Sequence, residues 1–287
     1  CSAWTVVSSV MSKNLRFSCN ADYLNNLVWL MSRWLTGKPE KIRGRGIYRD
    51  PVRSSHGHFV KASGLRWLSL MLLVPLPWAG RVWALPFLTP LCPSERYYDG
   101  YGRTHRPLTA RARQLLRVVQ RWFAERKFVV VADSSFAALD LLAAVTSDQL
   151  SVVTRLRLDA ALYAPVPKRK PGQPGRPRKK GKRLPTLAQV AANPTTQWQR
   201  ITVAQWYGES ERLIEITFGN ALWFHSGKPV VPIRWVLIRD PLQQFPTQAL
   251  LSTDTDACAE HIVNWFVQPQ SENLGRLRPS GIAGNGP

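Results

Sequence analysis

An unbroken run of β-branched and aromatic residues, Phe128-Val129-Val130-Val131-Ala132, sets the fold class that this chain can adopt. A strand without polar alternation is buried on both faces, which is typical of the central strands of layered α/β folds. A helical pattern with Thr109 as its N-cap precedes the run; a helix across Ala137 to Val145 and a strand in Ser151 to Leu158 follow it. We therefore expect an α/β core with parallel neighbouring strands.

Asp133, which directly follows this strand, has two roles open to it. Sheets of this class bind ligands just beyond the carboxyl ends of their central strands, where a carboxylate can hold a metal ion or a substrate. Asp is also a favoured N-cap, and its charge suits the N-terminus of a helix that begins near Phe136. The residues alone leave both interpretations open.

The charge of the chain predicts a polyanionic partner. Among 287 residues, 39 are Lys or Arg and 18 are Asp or Glu, which gives a formal net charge of +21 and a sequence pI of about 10.7. Neutralising phosphates with these cations releases condensed counterions and speeds encounter, so nucleic acid is the first candidate. A hydrophobic content of 45%, with 12 Trp, excludes a wholly disordered basic tail.

A membrane partner is the competing explanation, and the apolar stretch from Leu65 to Leu91 bears on it. Prolines and arginines interrupt this stretch, so it predicts two strands joined by a turn at Trp78-Ala79-Gly80 rather than a membrane span. No amphipathic helix with a basic and an aromatic face dominates the chain, which disfavours a membrane-surface protein. The four scattered cysteines predict reduced thiols in a cytoplasm.

A strongly basic segment, residues 167–183, holds nine basic residues and no acid. Because it has no apolar face and repels itself, we do not expect it to fold on its own. Its Pro-Gly-Arg-Pro-Arg core resembles the AT-hook of minor-groove binders, with Pro174 where the AT-hook has Arg; non-specific phosphate contact is the alternative. The predicted DNA-binding residues are Lys168, Arg169, Lys170, Arg176, Arg178, Lys179, Lys180, Lys182 and Arg183.

A β-rich pattern follows from Gln199 to Asp240. Turn signals at Gly208-Glu209, Gly219-Asn220 and Gly227-Lys228 divide it into short strands. After it we expect a strand at Gln248 to Leu251 and then a helix at Ala257 to Val267.

The N-terminal part of the chain predicts less. Residues 1–40 lack clear periodicity, and Tyr23 to Leu35 is apolar enough for either a helix or a strand. Lys41 to Arg53 is basic and interrupted by glycine, which predicts a loop that leads to a strand around Phe59 to Lys61.

Five stretches in this order carry a resemblance to a known family: Ile47 to Ser55, Lys61 to Trp67, Pro77 to Pro86, Val131 to Ser135 and Ile233 to Pro241. The chain resembles the DDE transposases of bacterial insertion sequences, over about Lys41 to Val267. The resemblance implies an RNase H-like core, a mixed sheet flanked by helices, with a β-rich insertion between the second and third catalytic positions. Several separate motifs in one order are more specific than any single motif.

The resemblance implies metal-dependent cleavage and transfer of DNA strands. In such enzymes three carboxylates hold two Mg²⁺ or Mn²⁺ ions, which activate the attacking oxygen and stabilise the leaving oxygen. Asp133 matches the middle carboxylate, at the end of the fourth core strand, which favours metal ligation over capping. The implied partners are double-stranded DNA, as element ends and target, and a second copy of the chain in a synaptic complex. The implied location is the bacterial cytoplasm, at the nucleoid and not at a membrane.

Two of the three implied carboxylates are missing from their matching positions. The first Asp would end the first core strand, where this chain has Leu30-Met31-Ser32-Arg33-Trp34. The Glu would follow Trp265-Phe266-Val267, where Gln268-Pro269-Gln270-Ser271 stands and Pro269 would interrupt the helix. We therefore expect impaired catalysis, in a decayed element that is truncated or frameshifted at both ends. The alternative is a non-catalytic remnant that binds double-stranded DNA through the basic segment.

These expectations divide the chain into five parts: a divergent N-terminal segment (1–40), the first part of the core (41–160), the basic loop with the β-rich insertion (161–232), the remainder of the core (233–267) and a divergent tail (268–287) that we expect to be disordered.

Overall fold

The computed structural model describes residues 27–36, 46–49, 57, 58, 60–76, 78, 81–167, 178–206 and 211–268. Its strands are β1 (Leu27–Thr36), β2 (Gly46–Arg49), β3 (Lys61–Leu76), β4 (Arg81–Leu88), β5 (Phe128–Ala132), β6 (Leu150–Leu156), β7 (Leu162–Tyr163), β8 (Gln199–Val203), β9 (Arg212–Trp223), β10 (Val231–Arg239) and β11 (Gln248–Ser252). Its helices are α1 (Glu95–Asp99), α2 (Leu108–Trp122), α3 (Leu139–Val145), α4 (Leu187–Ala192) and α5 (Ala259–Val267), with a 3₁₀ turn at Ser134–Phe136.

The first strands form the RNase H-like core that the sequence predicts. Their order across the sheet is β4-β3-β1-β5-β6, and β2 also pairs with β3. β1 runs antiparallel to β3 and parallel to β5, and β5 runs parallel to β6. The apolar run Phe128 to Ala132, which forms β5, therefore lies at the centre of a mixed α/β sheet, and the predicted fold class is confirmed.

The strands that follow β6 in the chain continue the same sheet. β11 pairs antiparallel with β6, β10 follows on β11, and β9 follows on β10. The short strands β7 and β8 both pair with β9. The eleven strands of the described ranges thus form one open sheet.

Helices cover both faces of this sheet, which explains why β5 has no polar alternation. Phe128 and Val130 of β5 belong to the same buried cluster as Leu116 of α2. Val131 belongs to the opposite cluster, together with Ile262 of α5. Successive side chains of a strand point to opposite faces, so an apolar residue at every position buries both faces.

Two local expectations need correction, and one assignment that the sequence left open is now made. The apolar segment Tyr23 to Leu35, left open between helix and strand, contains strand β1, because it pairs with β3 and β5 on its two sides. Part of the predicted loop Lys41 to Arg53 forms β2, which uses the free edge at the start of β3. The long helix begins at Leu108 with Pro107 as its N-cap, so Thr109 lies inside the first turn.

The predicted turn at Gly219-Asn220 is wrong, because β9 runs through it without a break. Gly219 lies opposite Trp235 of β10, and a Cβ at Gly219 would come within 2.8 Å of the Trp235 ring. A glycine is needed here because the Trp235 indole occupies the space of a side chain, and not because the chain turns. The turn at Gly227-Lys228 is confirmed: Gly227 has φ +74°, a conformation that side chains disfavour, and the Lys228 N–H donates to the His225 carbonyl. The Gly208-Glu209 turn lies outside the described residues.

The predicted hairpin between Leu65 and Leu91 is confirmed by the antiparallel pairing of β3 with β4. Among the described helices, none has both the length and the apolar character needed to cross a membrane.

Candidate active site

Asp133 lies where the sequence predicts it, at the carboxyl end of β5, and its side chain is partly buried. Its Oδ1 accepts hydrogen bonds from the Ser135 N–H, at 2.7 Å, and from the Ser135 hydroxyl, so the carboxylate caps the 3₁₀ turn. Its own carbonyl accepts a hydrogen bond from Thr154 Oγ1 at 2.9 Å. The capping role is therefore present, while Oδ2 has no hydrogen-bond partner among the described residues.

The register of the sheet identifies the neighbours of Asp133. Leu30 pairs with Ala132, which places Met31 of β1 beside Asp133. Ala132 pairs with Thr154, which places Arg155 of β6 on the other side. Strand alternation puts Met31, Asp133 and Arg155 on the face covered by α5, and the Arg155 guanidinium lies 5.4 Å from the ring centre of Phe266 in that helix.

These surroundings do not fit a site for two divalent ions. Hard cations of this kind need several oxygen ligands, which in proteins are mostly carboxylates. The register places Met31, a thioether, and Arg155, a guanidinium, next to Asp133 on the two adjacent strands, and α5 ends at Val267 with Gln268 after it. No three His, Cys, Asp or Glu side chains converge into a possible metal site anywhere in the described ranges. The role of Asp133 as a catalytic metal ligand stays a prediction.

A basic cavity of about 820 Å³ lies between β2, the start of β3, α1 and the start of α2, near the carboxyl end of β1. Arg66, Arg96 and Arg106 line it. Arg66 Nε donates to Ser32 Oγ at 3.0 Å, which ties the cavity to the β1 residue that follows Met31. Burial raises the pKa of the Cys92 thiol in the cavity wall, against the lowering effect of Arg111 and Arg66. Positive charge is thus concentrated around this cavity.

The basic segment is partly described, and its last residues are held by another part of the chain, in line with the expectation that the segment does not fold on its own. Lys168, Arg169, Lys170 and Arg176 lie outside the described residues. The Ala164 N–H donates to the Lys182 carbonyl at 2.8 Å, and the Gly181 N–H donates to the Ala164 carbonyl at 3.0 Å. These bonds, with a bridge between Tyr163 and Arg183, fix the end of the segment alongside β7. The partner strand supplies the pairing that the segment cannot supply itself.

Lys180 is the residue that anchors this end of the basic segment. Its Nζ lies 3.7 Å from the ring centre of Tyr163 and 4.0 Å from that of Phe224. An ammonium between two aromatic faces is stabilised by their quadrupoles. The remaining described basic residues that the sequence predicts to bind DNA are exposed: Arg178, Lys179, Lys182 and Arg183. Sequence spacing gives no sign of the aromatic pair, because Phe224 is far from Lys180 along the chain.

Asp240 belongs to the matched stretch Ile233 to Pro241, and the structure gives it a supporting role. Its side chain, 1% exposed, accepts from Arg212 Nη2 at 2.8 Å. It also accepts from the backbone N–H groups of Leu242, at 2.9 Å, and Gln244, at 3.1 Å. Burial alone would raise the pKa of Asp240, but these donors outweigh it and lower the pKa. The carboxylate therefore holds the loop after β10, in which Gln243 has φ +54°.

Glu215 makes a second buried charge network in the β-rich part. It accepts from Arg200 Nε at 3.0 Å and from Arg239 Nε at 2.8 Å. The Arg200 and Arg239 hydrogen bonds lower the pKa of Glu215 despite its burial. The Arg239 guanidinium also lies 4.0 Å from the Trp198 ring centre. The sequence carries no signal for this network, which joins three strands.

Comparison with known proteins identifies the family. The sequence-family model for the DDE superfamily endonucleases matches residues 43–212, more than half of the chain. No curated protein matches it. Among solved structures, the chain is similar to a piggyBac transposase seen by cryo-EM in a synaptic complex with hairpin DNA, with 12% identity and a TM-score of 0.37. That similarity covers 87% of this chain but only 39% of the transposase, so the chain spans well under half of its length. The matched region includes β5 and Asp133, and the chain belongs to the family of DDE superfamily endonucleases.

Proposed function

We propose that this chain is the DDE transposase of a bacterial insertion sequence, that it binds double-stranded DNA, and that its metal-dependent strand cleavage and transfer are impaired. Family membership and a net charge of +21 support the DNA partner. One observation supports the impairment: the residue that the register places beside Asp133 on β1 is Met31. An apolar thioether in that position removes both a ligand and a charge that would offset a divalent cation.

The second candidate is a DNA-binding protein without catalysis, and Arg155 favours it. On the β6 side of Asp133 the register places a guanidinium, which repels a divalent cation and attracts a phosphate. The exposed end of the basic segment would add electrostatic affinity for a duplex. A small synaptic assembly of two copies and a location at the nucleoid belong to the first candidate.

A nicking assay separates the two candidates. Duplex DNA that carries the inverted repeats of the element is incubated with the chain and Mn²⁺ or Mg²⁺, with Asp133→Ala as the comparison. If the transposase proposal holds, we expect weak, metal-dependent nicking that Asp133→Ala abolishes, because Asp133 is the one carboxylate that stands at a matching catalytic position.

The binding arm of the same assay uses gel shifts at several salt concentrations. Salt-sensitive binding that Asp133→Ala leaves unchanged, without any nicking, would support the second candidate and reject the first. Absence of duplex binding at low salt would reject both. Asp140→Ala serves as the control, since Asp140 is an exposed carboxylate on helix α3 that pairs with Lys228.

The register also predicts how metal binding could be restored. In Met31→Asp, two carboxylates would lie on adjacent parallel strands, roughly 5 Å apart, on one face of the sheet. We expect this variant to bind Mn²⁺ about tenfold more tightly than the parent chain, because metal affinity rises with the number of charged ligands. Isothermal titration calorimetry or the electron paramagnetic resonance signal of free Mn²⁺ measures the change without any need for activity.

The matched control is Ser32→Asp, which adds the same charge one residue along β1 but on the opposite face, beside Arg66. We expect no gain in Mn²⁺ affinity from it. Adding Asp133→Asn to Met31→Asp should cancel the gain. Equal gains from both single variants, or a gain that survives Asp133→Asn, would show that Met31 is not the neighbour of Asp133.

A further inference from the structure

The solvent-facing side of helix α2 carries a stripe of three exposed arginines, Arg113, Arg117 and Arg121. They recur every four residues, so their Cα atoms are spaced about 6 Å apart along the helix axis and span about 12 Å. The opposite side of α2 is buried in the core through Ala112, Leu115, Leu116 and Val119. The helix therefore presents these cations on a rigid support.

This stripe costs stability within the chain itself. Like charges at i and i+4 on a helix repel each other, by about 0.2 to 0.5 kcal/mol for each pair. α2 contains no acidic residue, and none of the three arginines forms an ion pair with another described residue. The charge of the stripe is therefore not offset by an ion pair within the described residues, which leaves these guanidinium groups able to bind an anion.

The stripe borders a concave surface. A shallow cavity of about 430 Å³ is lined by Arg117, Gln120, Arg121 and Ala124. Gln120 Nε2 donates to the Val145 carbonyl at 3.1 Å and to Ser147 Oγ at 3.2 Å, which fixes the cavity floor against the end of α3. Arg117 and Arg121 therefore border a shallow hollow beside Gln120, whose side-chain amide already donates its hydrogen bonds within the chain.

The direction of α2 connects the stripe with the Asp133 edge. Leu108, the first residue of α2, and Arg106 before it line the basic cavity near the carboxyl end of β1. The other end of α2 leads into the start of β5. A polyanion that follows the stripe from Arg121 towards Arg113 therefore runs towards the edge of the sheet where Asp133 lies.

We propose that Arg113, Arg117 and Arg121 form a phosphate-binding ridge for the backbone of double-stranded DNA, distinct from the basic segment. Each strand of a duplex carries one phosphate per about 3.4 Å of its axis, so the three arginines can each contact a separate phosphate. Guanidinium groups bind phosphate oxygens in a bidentate manner, which suits Arg better than Lys for this role. This inference rests on the proposed duplex binding, and adds the surface that performs it.

The test measures the affinity of the parent chain and of the double variant Arg117→Gln/Arg121→Gln for duplex DNA at several salt concentrations. The probe is a duplex of scrambled sequence, about three helical turns long. Each phosphate contact contributes about −0.9 to the slope of the logarithm of the association constant against the logarithm of the salt concentration. We therefore expect the slope to become less steep by about 1.8, and the affinity at low salt to drop about tenfold or more. Adding Arg113→Gln should make the slope less steep by the contribution of one further contact.

The control variant, Arg157→Gln/Lys228→Gln, removes the same charge from exposed sites elsewhere. We expect a much smaller change in its slope. The melting temperature of the stripe variant should stay unchanged or rise, because repulsion between like charges is removed; a purely structural role would lower it.

The possible failures can be told apart. If the parent chain does not bind the duplex, the proposed function fails and the ridge fails with it. If the parent chain binds, and the stripe variant keeps the slope of the control while Arg178→Gln/Lys179→Gln loses it, the ridge is rejected and duplex binding through the basic segment stands.

Discussion

Asp240→Ala will lower the free energy of unfolding by about 3 to 5 kcal/mol, because it breaks a buried ion pair by removing one partner. The change leaves the Arg212 guanidinium, which is 21% exposed, without its carboxylate. It also leaves the Leu242 and Gln244 N–H groups without their acceptor. Urea unfolding followed by tryptophan fluorescence measures the loss.

The control for this variant is Asp254→Ala. Asp254 also accepts a backbone hydrogen bond, from the Asp256 N–H at 3.0 Å, but it is exposed and pairs with no arginine of the described ranges. Its loss should cost about 1 kcal/mol or less, as for a typical hydrogen bond at the surface. Similar losses from the two variants would contradict the network around Asp240.

The stabilisation by Asp240 also depends on pH in a defined direction. Its pKa is lowered in the folded chain, so the unfolded chain binds the proton more readily. The contribution is fully present above the unfolded pKa, about 3.9, and is lost as the pH falls towards the lower folded pKa. The stability difference between the parent chain and Asp240→Asn should therefore shrink below about pH 4.

Phe266→Ala will cost about 3 to 5 kcal/mol, because it opens a cavity in the layer between α5 and the sheet. The Phe266 side chain is fully buried, and its ring centre lies 5.4 Å from the guanidinium of Arg155, the β6 residue that the register places next to Asp133. The loss would therefore both destabilise the core and release a charge at the candidate active site. Equilibrium unfolding in guanidinium chloride measures the first effect.

Phe218→Ala is the matched control for Phe266→Ala, because it removes the same side chain from a position that is 41% exposed. Phe218 stacks under Arg234, with the guanidinium 4.7 Å from its ring centre, so we expect a loss of about 1 kcal/mol. If the two variants cost the same, α5 does not pack on the sheet as described.

The elements that the sequence predicts well are those whose local pattern and tertiary environment agree. Phe128 to Ala132 has a pattern that only a doubly covered strand tolerates, and it lies between β1 and β6. The turn predicted at Gly219 is wrong because the sequence does not show why a glycine is present. A glycine that leaves space for a ring on the next strand looks the same as one that allows a turn. The difference lies in Trp235, on another strand.

The candidate site shows the same division. The position of Asp133 could be predicted because its strand ends there. The comparison of Leu30 to Trp34 with the family pattern also predicts that no acid stands at the first catalytic position. Its capping bond to Ser135 is one of two alternatives that the residues alone do not separate. The ring pair around Lys180 and the carboxylate networks at Asp240 and Glu215 depend on strand register between distant segments, which composition and periodicity do not encode.

The pairing of β11 with β6 joins the first strands and the later strands into one continuously hydrogen-bonded sheet. β6 pairs on one side with β5 of the core and on the other with β11, which connects through β10 to β9 and β7 near Lys180. Removing strands β7 to β11 together would leave the β6 edge unpaired and open to self-association. These strands therefore belong to the same sheet as the core, because β11 supplies the backbone hydrogen bonds for the edge of β6.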